Sequence, residues 1–143
     1  MPGPFEFTFT VQAQHIDALG HVNNEVYLQW VLQAADAHSR SLGYGLEVFL
    51  QARASFVVRR QELNYIAATF LGDELRVQTW LLNLRAAQSE RATLITRVSD
   101  GKGVFSALTN WVYVDLATGR PCEIPEEMAQ RYRPFVLGLS LPR

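Results

Sequence analysis

The chain has a single cysteine, Cys122, among 143 residues. One thiol closes no internal disulfide and cannot build a cysteine-ligated zinc cluster, so a reducing cytoplasm is the expected compartment. Charge is almost absent as a net quantity: −1 at neutral pH, with an isoelectric point near 6.3. No global field therefore draws the protein to nucleic acid or to an acidic membrane. Long apolar runs are missing too, because Arg, Gln, Asp or Glu interrupts every hydrophobic segment, which leaves nothing to span a bilayer. The run Met1-Pro2-Gly3-Pro4 has neither the basic start nor the apolar core of a signal peptide, so no leader is expected. Three scattered histidines, His15, His21 and His38, without acidic partners at ligand spacing, make no metal motif. No Gly-x-Ser-x-Gly elbow, phosphate-cradling glycine loop or dinucleotide fingerprint occurs, so no cofactor is expected.

What remains is the composition of one ordinary globular domain, 48% hydrophobic and 19% charged, long enough for one core and too short for two. We read residues 1–143 as that domain, with a core of about 5–132 and a loosely held tail from Pro134. The stretch that organises it runs from His15 to Gly43. Apolar or small residues at Tyr27, Trp30, Val31, Ala34, Ala37 and Leu42 follow helical spacing. Asn23 and Asn24 supply cap-type side chains before it, and Gly43 and Gly45 a left-handed stop after it. Asp36 and Arg40, four apart, can pair on the wet face. The spacing predicts one helix on the order of 27 Å long.

The rest reads as strand. Phe5 to Gln14 alternates apolar and polar positions. Glu47 to Arg53 is poorly periodic and reads as a connector. Ser55 to Thr69 is long enough to require a bend or bulge. Gly72-Asp73 makes a turn, and Leu75 to Leu81 alternates cleanly. Asn83 to Ser89 reads as a turn, Arg91 to Val98 as a strand, and Ser99-Asp100-Gly101-Lys102-Gly103 as a hairpin. Val104 to Asp115 reads as a central strand, and Pro125 with Glu126 and Glu127 as the first turn of a short helix. Short turns demand antiparallel neighbours, and one amphipathic helix covers one face of such a sheet. The expected class is α+β, a five-stranded antiparallel sheet with one long helix. The uncovered face and apolar edge strands favour a homodimer.

Asp17 lies in a short loop before the helix, and Gly20 lets the backbone approach something bulky. A helix N-terminus turns unsatisfied N–H groups and a partial positive charge toward that loop. A carboxylate beside a ready-made oxyanion site suits hydrolysis of an acyl group. The plainer role for Asp17 is an acid near a helix dipole, and the spacing alone favours it.

The run Asp17-Ala18-Leu19-Gly20-His21-Val22-Asn23-Asn24, followed by Tyr27, resembles the signature of the hotdog-fold acyl-CoA thioesterases, specifically the 4-hydroxybenzoyl-CoA thioesterase family with its YbgC-like members. Trp111-Val112-Tyr113-Val114-Asp115, Thr118-Gly119-Arg120-Pro121 and Ile124-Pro125 resemble the same family's last strand and exit turn. The similarity covers about Phe7 to Gln130. One departure is His15, where many members carry an acid two residues before the catalytic Asp. The resemblance implies a curved sheet wrapped around the helix, and a homodimer often doubled to a tetramer.

It also implies roles. Asp17 becomes the catalytic carboxylate, as nucleophile or general base, and Asn24 the residue whose backbone N–H polarises the thioester carbonyl. Gly20, His21, Val22, Asn23 and Tyr27 belong to the substrate-binding motif. Arg85 matches in position the basic residues that meet the nucleotide end of coenzyme A, with Arg59, Arg60 and Arg91 as competitors. Ser89 matches a frequent serine of the following turn. Coenzyme A is then part of an acyl-CoA substrate. Glu25 and Glu62 are rival carboxylates whose plainer roles are dipole stabilisation and solvated edge charge. His15 and His38 carry no function in this reading. The alternatives to a thioesterase are a non-catalytic acyl-binding dimer and a hydratase or dehydratase on the same fold, whose His–Asp/Glu arrangement this chain lacks.

Overall fold

The computed structural model describes residues 3–142; Met1 and Pro2, part of the amino-terminal run read above, and Arg143 lie outside them. The first strand, β1 (Phe5–Thr10), sets the period of two, with Phe5, Phe7 and Phe9 half-buried and Glu6, Thr8 and Thr10 exposed. The alternation in sequence continues to Gln14, but the strand does not. A 3₁₀ turn at Ala13–His15 ends it, closed by the Gln12 N–H donating to His15 Nδ1 at 2.9 Å.

Helix α1 (Asn24–Ser41) begins where its cap places it: Asn23 is extended, and its side-chain oxygen accepts from the Glu25 N–H at 2.9 Å. Its stripe of Val26, Tyr27, Trp30, Val31 and Ala34 is buried against Leu75, Val77, Ile95, Phe105 and Ala107 of the sheet. Gly43 at φ +94° supplies the left-handed stop, and Asp36 pairs with Arg40 at 2.8 Å on the wet face. The connector expected at Glu47–Arg53 is instead a helix, α2 (Leu46–Ala52), which buries Phe49 and ends on Arg53 at φ +54°.

Four strands follow: β2 (Ala54–Tyr65), β3 (Glu74–Arg85), β4 (Gln88–Arg97) and β5 (Gly103–Asp115). All pair antiparallel in the order β1-β3-β4-β5-β2, so β1 and β2 are the edges. The bulge expected in β2 falls between Val58 and Arg60, and the strand ends at Tyr65, not Thr69. The turn expected over Asn83–Ser89 shrinks to Ala86-Ala87, because β3 extends to Arg85 and β4 starts at Gln88. Leu84 and Ser89 are ladder partners, so both are strand residues.

Helix α3 (Glu126–Tyr132) starts one residue later than expected, with Pro125 at its cap. It closes a second apolar cluster of Tyr44, Phe49, Leu81, Tyr113 and Met128 beneath the far half of α1. The tail is not loose. Leu137 N–H donates to Leu81 O at 2.9 Å, and Ser106 Oγ donates to Pro142 O at 3.1 Å. It runs across the sheet near Leu82 and Leu108, covering part of the face opposite α1. Among the described residues no helix is long and apolar enough to cross a membrane.

Candidate active site

A five-residue excursion in the chain, Asp17 to His21, makes the loop that holds Asp17. Ile16 and Val22 form an isolated antiparallel bridge, and the Asp17 N–H donates to His21 O at 3.0 Å. The turn between them closes with Gly20 N–H on Asp17 O at 3.1 Å. Gly20 has φ +85°, and a Cβ built there would meet nothing within 4 Å. The glycine therefore serves the left-handed turn, and among the described residues nothing crowds it.

Asp17 is half-buried, and one of its oxygens, Oδ1, accepts from the Leu19 N–H at 2.9 Å. That bond orients the carboxyl and leaves Oδ2 without a partner among the described residues. The loop is anchored below by Val22 N–H on Thr69 O at 2.9 Å and beside by Asn23 N–H on His15 O at 2.9 Å. His15 thus occupies its position as a backbone acceptor, with its ring edge-on to Trp30 at 5.2 Å.

The first turn of α1 completes this end. Asn23 caps Glu25, and Val26 N–H donates to Asn23 O at 2.9 Å. Among the described residues the Asn24 N–H has no acceptor, so it is the spare donor of the helix start. Asn24 O is held in turn by the Tyr65 hydroxyl at 3.0 Å. Tyr27 is buried, its hydroxyl 2.6 Å from Thr69 Oγ1, and burial raises its pKa. Tyr27 is thus a floor of the site and not a wall open to substrate. Around the loop, Leu19, Tyr65, Phe70 and Leu71 are exposed, and the His21 ring packs edge-on to Phe70 at 6.1 Å.

The structure brings Asp17, Gly20, His21, Val22, Asn23, Asn24 and Tyr27 together at one end of α1. It does not bring Arg85 or Ser89 to them within one protomer. The loop neighbours the start of β3, through Val11 N–H on Asp73 O at 2.9 Å, whereas Arg85 ends that 12-residue strand, about 36 Å of extended chain away. Arg85 is exposed, and Ser89 is buried in a cavity of about 190 Å³ beneath the far half of α1. Of the competing arginines, Arg59 and Arg60 are exposed on the β2 edge, while Arg91 lines the same cavity as Ser89. Glu25 is exposed on the first helical turn, and Glu62 is exposed opposite Leu108. No group of three metal-ligating side chains converges among the described residues.

Sequence reasoning passed over His38 and the placement of Arg91. The signals were present: His38 falls four residues beyond Ala34 on the buried stripe, and Arg91 shares its strand phase with Thr93 and Ile95, both fully buried.

Comparison with known proteins adds to this geometry. Residues 11–132 match the family model described as the thioesterase-like superfamily. The long-chain acyl-CoA thioesterase FadM of Escherichia coli K12 is 27% identical over 127 residues, spanning 88% of this chain and 95% of its own. The probable thioesterase YbaW from Escherichia coli superposes with a TM-score of 0.76 at 25% identity, over 92% of this chain and 98% of that one. A Staphylococcus aureus protein solved in complex with CoA shares the fold with a TM-score of 0.90 at 17% identity, over 97% of this chain and 89% of that one. With its five-stranded antiparallel sheet, its hotdog fold and a match over most of its length, the chain belongs to the thioesterase-like superfamily.

Proposed function

We propose that the protein is an acyl-CoA thioesterase in which Asp17 supplies the attacking or activating carboxylate and the Asn24 N–H polarises the thioester carbonyl. The observation that carries this reading is the pairing, at one end of α1, of a carboxylate with an uncommitted Oδ2 and a helix start with one uncommitted N–H. In the general-base route Oδ2 takes a proton from water, the water oxygen attacks the carbonyl carbon, and the C–S bond breaks as the sulfur leaves as CoA thiolate. In the nucleophilic route Oδ2 itself attacks the carbonyl carbon and the C–S bond breaks, expelling CoA thiolate and leaving a mixed anhydride, which water then opens to the free acid and the Asp17 carboxylate. Both routes use the same two protein groups.

The finer family placement, among the 4-hydroxybenzoyl-CoA and YbgC-like thioesterases, rests on the Asp17–Asn24 run and Tyr27. With it go a single domain over 1–143, a sheet curved about α1, no cofactor, and action in the cytoplasm. Gly20, His21, Val22, Asn23 and Tyr27 shape the reaction end, and Arg85 and Ser89 serve the bound acyl-CoA.

Those last two residues require a homodimer in this reading. β2 is a long edge strand with Val57 and Val58 about 40% exposed. Two-fold pairing of antiparallel edges sets the Tyr65 end of one β2 beside the Ala54 end of the other. The Asp17 loop, which touches Tyr65 through Asn24, then faces the partner's end of the sheet, where Arg85 and Ser89 lie.

Release of free CoA thiol from a panel of aliphatic and aromatic acyl-CoAs tests the activity. Hydrolysis is expected for at least one class, with no hydration of enoyl-CoA. Hydration without thiol release would transfer the protein to the hydratases, and binding without either reaction would make it an acyl-binding module.

A further inference from the structure

Arg91 sits on the inner face of β4, in register with Leu81 of β3 and Thr109 of β5, and is 4% exposed. A guanidinium carries five N–H donors and a permanent charge. Among the described residues only Nη1 is engaged, 3.0 Å from His38 Nδ1 and 3.0 Å from Thr79 Oγ1. Nε is buried without a partner. Among the described residues no carboxylate lies within ion-pair distance of Arg91.

His38 offers no counter-charge. Burial and then the neighbouring guanidinium press its pKa down to about 3, so the ring is neutral and accepts at Nδ1. Burial also lowers Arg91, to about 10, which leaves it protonated at neutral pH. A buried charge without a counter-charge is strongly destabilising, so an unpaired one in a native core calls for a partner from outside the chain.

Arg91 lines the cavity of about 190 Å³ named above. Phe49, Phe56, Leu81 and Leu84 give it apolar walls. Its other polar groups are the Ser39, Ser55, Ser89 and Tyr132 hydroxyls and the Trp111 indole N–H; Ser39 and Tyr132 bond each other at 2.6 Å, Ser55 donates to Phe56 O at 3.3 Å, and the indole N–H is buried and unpartnered. The nearest acid, Asp36 at the rim, is exposed and already held by Arg40 at 2.8 Å. Arg91 is thus, among the described residues, the one uncompensated charge in the lining, set beside neutral hydroxyls, an indole donor and apolar walls. A cavity of about 150 Å³ holds benzene, so this one has room for one ring or a chain of similar bulk.

We propose that this cavity is a binding site for a compact apolar carboxylate, a single-ring aromatic or short aliphatic acid, whose carboxylate accepts from Arg91 and Trp111 while its hydrocarbon fills the space between α1, α2 and the sheet. The site is separate from the Asp17 loop of the same protomer, since about 16 Å of helix divide Asn24 from Ala35 on the cavity wall. It stands whether or not the protein hydrolyses thioesters. The carboxylate has two possible sources, a free acid or the distal end of an acyl group that carries one.

The test titrates the protein with benzoate and hexanoate, read by calorimetry and by the fluorescence of tryptophan. Saturable binding is expected, at least tenfold tighter than for benzyl alcohol and 1-hexanol, which match the hydrocarbon without the charge. Arg91→Met should weaken acid binding at least tenfold, and Trp111→Phe severalfold; the second variant keeps the charge and covers any failure of the first to fold. Loss of hydrolysis of adipoyl-CoA but not hexanoyl-CoA in Arg91→Met assigns the carboxylate to the acyl group. Acid binding without that difference assigns it to a free ligand. No saturable acid binding at millimolar concentration, equal binding of acids and alcohols, or acid binding unchanged in both variants would overturn the site.

Discussion

His38 shows what a single side chain does to the whole energy balance. It is fully buried among Phe5, Tyr132 and Phe135, and among the described residues its side chain has one hydrogen-bond partner, the Arg91 guanidinium. Its folded pKa of about 3 lies below the ordinary 6.5. Between those values the unfolded chain takes up a proton that the folded chain refuses, so stability falls as pH drops through that window. From pH 7 to pH 5 this amounts to about 2 kcal/mol at one group. Urea midpoints at the two pH values should therefore move further apart for the wild type than for His38→Gln. Equal shifts would show that His38 is protonated in the fold. The burial was legible from the helical stripe, but the arginine partner was not, because a histidine on such a stripe gives no sign of what lies across from it. Gly20 was legible as a necessity, and the turn itself supplies one reason, since it needs a positive φ.

At the scale of elements, the strongest periodicities gave the right answer and the short or irregular stretches did not. α1 was legible from both ends, since the Asn23 cap and the Gly43 stop are chemical signals independent of packing. Asn23→Ala removes the acceptor for the Glu25 N–H and should lower stability by about 1 kcal/mol, measured by thermal or urea unfolding. A change below a few tenths of a kcal/mol would show that the loop, and not the cap, fixes the helix start. α2 was missed because seven residues cannot display a period, and Gly45 before it offers no capping side chain. The β3–β4 hairpin was drawn too long because Ala86-Ala87 contains neither Gly nor Asn, although Ala86 turns at φ +49°. The tail was read as loosely held for a different reason. Its hydrogen bonds go to Leu81 O and from Ser106, partners that no local pattern encodes.

For the whole molecule, the class followed from the number of strands and the brevity of their turns; the order β1-β3-β4-β5-β2 did not, because the β1–β3 and β2–β5 pairings join strands that no short turn connects. The tail crossing weakens the part of the dimer argument that rested on a bare sheet face, and leaves the part that rests on the β2 edge. Val57→Lys places like charges on that edge, next to one another if two copies pair across a two-fold axis. Light scattering should give about twice the 16.2 kDa chain mass for the wild type, or four times it for a tetramer. Val57→Lys should shift that mass toward one chain. A wild-type mass of one chain at every dilution would remove the dimer and with it the role given to Arg85. The Asp17–Asn24 run was legible as chemistry, but its distance from Arg85 and Ser89 was not, since sequence shows neither the length of β3 nor the partner that would bridge it.

The most direct test of the account is the turnover of acyl-CoA by Asp17→Asn. The amide keeps Oδ1 as acceptor for the Leu19 N–H, so the loop should hold its shape while nucleophilicity and basicity at Oδ2 disappear. Turnover should fall by roughly a hundredfold or more with little change in acyl-CoA binding, and Glu25→Gln, on the exposed first turn, should retain activity. An Asp17→Asn protein that releases CoA at the wild-type rate would contradict the assignment of the carboxylate.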